Sequence, residues 1–214
     1  RGSGEEEGTR TRTRTRFRRT SAMRGDKKKG PLKKGFDPSQ LEEGSIVSVN
    51  GEDEDIYIAE VLEFESKGGP QVKLRWFYKP EDVVYGRQVW HGSKELFKQT
   101  QVSDWNSVHS VTGFCKVHTL EEYQDLDLVE EDDYFCRQAY KPNSGEFVPD
   151  IVPVFCVCET PYNPDRPMVE CEDCSDWFHW SCVGVRSKDT RRRGYTYTCT
   201  SCLMKKASPD TSEI

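Results

Sequence analysis

The chain has 214 residues, 34% hydrophobic and 32% charged, which allows one or two modest domains and excludes a single large core. It contains no run of 18 apolar residues and no signal-peptide pattern, so it reads as soluble and intracellular with no membrane partner. The net charge of −6 conceals two opposed parts: residues 1–35 carry 13 Lys/Arg against 4 Asp/Glu, a net +9, while the remainder carries 18 basic and 33 acidic residues, a net −15. An acidic body attracts a cationic partner and does not suit a groove-binding DNA module, which is basic where it folds.

Residues 1–35 read as a disordered basic leader. The dipeptide repeat from Thr9-Arg10 to Thr15-Arg16 and the run Lys27-Lys28-Lys29-Gly30-Pro31 hold too few apolar side chains to offset the entropy of ordering. Non-specific phosphate contact with nucleic acid, or a nuclear-import signal, is the sharper reading of this stretch. The chain opens on Arg1 instead of Met, as expected where a natural start lies upstream.

Residues 36–150 read as a β-rich domain. Ser45 to Val49 alternate with period two, and the stretches Ile56–Leu62 and Gln71–Tyr78 are rich in β-branched and aromatic residues. The intervening Lys67-Gly68-Gly69-Pro70 predicts a hairpin. Gly113–His118 and Tyr134–Arg137 are further strand candidates, Leu120–Tyr123 a helical turn and Asn143-Ser144-Gly145 a turn. Cys115 and Cys136 lie in apolar surroundings, where free Cys packs, and no catalytic spacing relates them to His91, His109 or His118.

Seven of the nine cysteines, with one His among them, crowd the next segment as C-x-C-x12-C-x2-C-x4-H-x2-C-x16-C-x2-C, followed by a disordered tail over residues 205–214. Structural zinc takes four Cys or His ligands at tetrahedral corners, and eight ligands supply two ions. The long gaps let the pairs interleave: Cys156, Cys158, His179 and Cys182 form one site, and Cys171, Cys174, Cys199 and Cys202 the other. Zinc then replaces a core this segment is too short to build, with apparent binding energies of roughly 10–16 kcal/mol in zinc-finger peptides. Disulfides would leave His179 unexplained and need an oxidising compartment. Both shells are filled by protein atoms, leaving no open position for catalytic water, which argues against an enzyme.

The C4-H-C3 order, with the aromatic Tyr197 two residues before the last cysteine pair, resembles the PHD finger family over residues 153–204. RING fingers also interleave two zinc sites but place the His differently, so a RING-like ubiquitin ligase is the weaker alternative. The resemblance implies a reader of the histone H3 tail. Phe155, Tyr162, Met168 and Trp177 would form a cage around methylated lysine four, where π faces and a polarisable thioether meet a cation that has no hydrogen bond to donate. Among the acids Asp165, Glu170 and Glu172, the last best matches the family position that meets the tail's second-position arginine. Carbonyls around Gly194 and Tyr195 would hold the tail's free amino terminus.

Upstream, "VKLRWFYKPEDV", "WHGSKELF", "VTGFCKVHTLEEY" and "DYFCRQAYKPNSGEFVPD" look like a BAH domain. With "PVFCVCETPYNPDRPMVECEDCSDWFHWSC" directly behind, the order resembles the BAH–PHD plant chromatin readers of the SHORT LIFE and EARLY BOLTING IN SHORT DAYS type over roughly residues 38–204. The implied fold is mostly β with a small irregular zinc domain. The implied BAH cage is Tyr57, Trp76 and Tyr78, reading a second methyl mark, lysine twenty-seven in that family. By strand pattern alone, Trp76 and Tyr78 would be core residues. The family's Ser-x-His-x-Asp stretch is altered: Val102 stands where the His would fall, and Asp104 is kept as a peptide contact or turn cap. The expected role is therefore a non-catalytic nuclear histone reader acting in transcriptional regulation, with nucleosomal DNA as a partner of the leader and DNA binding as a further alternative.

Overall fold

The computed structural model describes residues 36–51, 55–66, 68–101 and 104–207. The basic leader, Val102 and residues 208–214 lie outside the described residues.

The first domain is a mixed sheet of nine strands: β1 Ile46–Asn50, β2 Ile56–Glu65, β3 Gln71–Tyr78, β4 Glu95–Gln99, β5 Trp105–Ser107, β6 Val111–Phe114, β7 Lys116–His118, β8 Asp133–Lys141 and β9 Glu146–Val148. The main path runs β6-β1-β2-β3-β4-β8-β7, with β5 pairing with β3 and β9 with β8. The expected hairpin joins β2 to β3 in antiparallel register, Ile58 opposite Phe77 and Ala59 opposite Trp76. Gly68 and Gly69 in its turn have φ of +87° and +123°, a region that favours residues without a Cβ.

Alternation along these strands builds two cores, beside a smaller cluster of Val83, Phe97 and Tyr140. Val47, Val49, Ala59, Val61, Val72, Leu74 and Val111 pack on one side, and Ile58, Phe77, Leu96 and Cys115 on the other. The strand β4 carried no period signal of its own in the sequence. It pairs in parallel with β8, as β7 does on the far side of β8. The helical turn after His118 is α1, Leu120–Gln124. Thr119 and Glu122 form a reciprocal capping box at its start, and Tyr123 buries its ring 4.8 Å from that of Phe135.

The second domain has two short ribbons, β10 Val154–Phe155 with β11 Thr160–Pro161 and β12 Met168–Glu170 with β13 Trp177–His179. Three helices follow: α2 Trp180–Val183, α3 Ser187–Thr190 and α4 Thr200–Ala207. The helix α4 corrects the tail boundary, because residues 205–207 are helical. Cys202 anchors α4 in the finger's interior, and Lys206 Nζ reaches Asp173 at 2.8 Å. Lys205 and Lys206 in the last turn also complement the negative end of the helix.

A buried cation bridges the two domains. The Arg137 side chain on β8 is 9% exposed, and that of Glu95 on β4 is 0% exposed. Arg137 Nε donates to Glu95 Oε1 at 2.7 Å and Nη2 to Oε2 at 2.9 Å. Its Nη1 crosses into the second domain and donates to the Tyr162 carbonyl at 2.6 Å, while Nη2 also reaches the Trp90 carbonyl at 3.3 Å. Burial pushes the Glu95 carboxyl pKa up, and the Arg137 hydrogen bonds and charge oppose that shift. Beside this pair, Asn163 Nδ2 donates to the carbonyls of Val89 and His91, and the Ser93 N–H donates to Asp165 Oδ2. Gly92 lets these surfaces approach: a Cβ there would lie 2.9 Å from the Phe135 ring and 3.4 Å from Pro164. Removing one partner of a buried ion pair leaves the other uncompensated. Arg137→Ala should therefore lower the unfolding free energy by about 3–5 kcal/mol in urea titration, and a loss under about 1 kcal/mol would show that the junction does not depend on it.

Candidate metal centres and aromatic cages

In the finger, Cys156, Cys158, His179 and Cys182 converge in one cluster and Cys171, Cys174, Cys199 and Cys202 in another, each with its ligand atoms within 4.8 Å of one another. These are the interleaved sets that the spacing predicts. Metal–sulfur bonds of about 2.3 Å give a tetrahedral edge of about 3.8 Å. The Sγ atoms of Cys174 and Cys199 are 3.9 Å apart, close to that edge and far from a disulfide bond length of about 2 Å. None of the nine cysteines is joined in a disulfide. His179 Nδ1 lies 3.3 Å from Cys158 Sγ, so this nitrogen faces the first cluster. The donor sets fit two structural zinc ions.

Zinc coordination shapes what the finger exposes. Successive residues of β13 point to opposite sides, so Phe178 is buried against Tyr197, ring centroids 5.7 Å apart, and Trp177 stands 44% exposed. Across the ribbon Met168 pairs with His179 and Glu170 with Trp177, and Trp180 Nε1 donates to the Met168 carbonyl at 2.9 Å. Phe155, Tyr162, Met168 and Trp177 all line one cavity of about 620 Å³. The structure thus brings the four expected cage residues together.

The other finger residues named from sequence have different surroundings. Asp165 is taken into the domain junction through Ser93. Glu172 is exposed, and its Oε1 accepts from the Thr198 hydroxyl at 3.0 Å. Glu170 is exposed at the end of β12. Gly194 is exposed with φ +74°, and the Tyr195 N–H donates to the Arg192 carbonyl at 3.0 Å.

In the first domain Tyr57, Trp76 and Tyr78 share one face of the β2–β3 hairpin and are half-buried. Tyr57 and Trp76 meet edge to face with centroids 6.3 Å apart, and Tyr78 meets Tyr140 at 5.6 Å. These residues continue the row of Val72 and Leu74, and Trp76 packs against that core. They sit at its rim, partly core and partly surface. Burial pushes the Tyr78 hydroxyl pKa up, with Tyr140, Asp82 and Asp104 adding to the shift, so the Asp104 carboxylate acts on the same neighbourhood. Gly51 is a residue that the sequence did not mark: a Cβ there would fall 2.0 Å from Tyr57 Cε2, so its absence lets the ring approach the backbone.

Native mass spectrometry should record two zinc ions per chain, and a chelator should remove them together with the finger's fold, leaving the sheet domain intact. A single ion would overturn the pairing of the two sets.

Residues 39–150 match the BAH domain family, and residues 156–202 match the PHD-finger family. The chain is 44% identical over 149 residues to the Chromatin remodeling protein SHL of Arabidopsis thaliana, covering 68% of this chain and 64% of that protein. It is 42% identical over 148 residues to the Chromatin remodeling protein EBS of the same plant, covering 68% and 62%. The chain therefore spans a little under two thirds of the length of these relatives. A third relative, the Histone lysine demethylase PHF8 of Danio rerio, is 49% identical over 51 residues, 24% of this chain and 5% of that protein. With its BAH match extending over more than half its length and both Cys/His clusters in PHD order, the chain belongs to the BAH domain family and carries a PHD finger directly behind the BAH domain.

Proposed function

We propose that the protein is a non-catalytic chromatin reader, in which the PHD finger binds the H3 tail methylated at lysine four and the BAH domain binds a second methyl-lysine mark, with lysine twenty-seven as the leading candidate. The observation that carries this reading is the convergence of Phe155, Tyr162, Met168 and Trp177 on one cavity, with Trp177 44% exposed although it is a large apolar ring. The exposed π face of such a ring suits a methylated ammonium, each favourable contact contributing about 0.5–2 kcal/mol. Two similar proteins that share both domains are named as chromatin remodeling proteins, which supports a nuclear role in transcriptional regulation. The demethylase match is confined to about the length of the finger and lends no support to catalysis by this chain. Among the described residues no helix is long and apolar enough to cross a membrane.

For the BAH half, the support is the edge-to-face meeting of Tyr57 and Trp76 with Tyr78 on the same sheet face and Asp104 nearby. For the finger's tail contacts, Glu172 is the proposed partner of the second-position arginine, and the carbonyls of Gly194 and Tyr195 are proposed to receive the tail's amino terminus. Glu172 and Gly194 are exposed and Tyr195 is half-buried.

Calorimetry separates the two cages. Trp177→Ala should weaken binding of a lysine-four-trimethylated H3 peptide by roughly tenfold or more while both zinc ions stay bound, and should spare internal methyl-lysine peptides. Trp76→Ala should do the converse and should also lower thermal stability, since Trp76 packs on the core. Unchanged affinity in Trp177→Ala would show that this ring has no part in binding. A Trp76→Ala chain that is less stable but binds every peptide as before would make Trp76 a core residue alone.

A further inference from the structure

The cavity that holds the finger's cage is not lined by the finger alone. The helix α1 of the BAH domain reaches it through Glu121 and Gln124. These two are three residues apart and share a helix face. The orientation of that face is fixed. Tyr123 is buried against Phe135, and Glu122 is held in the capping box with Thr119, leaving Glu121 and Gln124 exposed. The charged residues lining the cavity are Glu121 and Arg137. Arg137 is matched by the buried Glu95, whereas the Glu121 carboxylate has no hydrogen-bond or ion-pair partner among the described residues. The cavity therefore presents aromatic faces from one domain and an unmatched negative charge from the other. Its volume of about 620 Å³ exceeds what a single methylated ammonium fills and suits a lysine side chain with adjoining peptide.

We infer that helix α1 of the BAH domain is a wall of the finger's methyl-lysine site and that Glu121 contributes its charge to binding the cation; this rests on the reading of the finger as a methyl-lysine binder. The site is then composite, and the BAH domain takes part in reading both marks. An exposed carboxylate near a cation contributes modestly, through water and salt, so the expected effect is small and charge-specific.

The test uses the full chain and two H3 amino-terminal peptides, one with trimethylated lysine four and one with its uncharged carbon isostere. Glu121→Gln should weaken binding of the cationic peptide by about two- to fivefold, leave the isostere unchanged, and make the salt dependence of affinity shallower. Glu121→Lys should extend the loss, and the thermal midpoint of Glu121→Gln should match the wild type. Equal weakening of both peptides would mean a change of shape and would overturn the charge role. No change with either peptide, while Trp177→Ala loses binding, would remove α1 from the site and leave the finger's function standing. A wild-type chain that binds neither peptide would overturn both readings.

Discussion

The fork of Arg137 is the contact on which the two-domain arrangement depends. A guanidinium has five donors in a plane, and here they reach a carboxylate and a loop carbonyl of the BAH domain and a carbonyl of the finger. The pair with Glu95 is almost fully buried, so neither charge can be compensated by water. A lysine could not span these partners. Because the finger's partner in this network is the carbonyl of Tyr162, the same interaction that docks the domains also holds the backbone of a residue lining the aromatic cavity.

The finger itself shows why a metal-built domain suits a binding surface. In an ordinary small domain the aromatic residues must be spent on a core. Here the two cysteine-rich clusters supply the cohesion, with Phe178 and Tyr197 packed around one of them. Trp177 and Phe155 are thereby released to the surface, 44% and 36% exposed. In the BAH domain there is no such release. Trp76 and Tyr78 occupy the end of a core row, so the same rings pack on the core and are only half-buried. A change there disturbs the core, whereas the exposed finger rings are separable from the fold.

Much of this protein was legible in the sequence because the constraints are local. Ligand spacing decides the zinc pairing, since each close pair can face only one ion, and the structure groups the eight residues the same way. The hairpin of β2 and β3, the turn at Gly145 and the capped helix after Thr119 follow from alternation, left-handed glycines and a capping box written within a few residues. Phe155, Tyr162, Trp177 and Met168, which line one cavity, were singled out through family resemblance rather than through periodicity.

What the sequence did not contain are the relations between distant segments. The strand β4 has no period of its own and is stabilised by parallel pairing with β8, some 40 residues away. Arg137, Gly92 and Glu121 look like ordinary polar or loop residues in the chain. Their roles arise from what folding sets beside them: a buried carboxylate, the ring of Phe135 with Pro164, and an aromatic cavity of the neighbouring domain. The charge pattern of the sequence announced an acidic body suited to a cationic partner. Only the tertiary structure decided which acid lines the aromatic cavity, because that proximity comes from the docking of two domains and is encoded in no single stretch of residues.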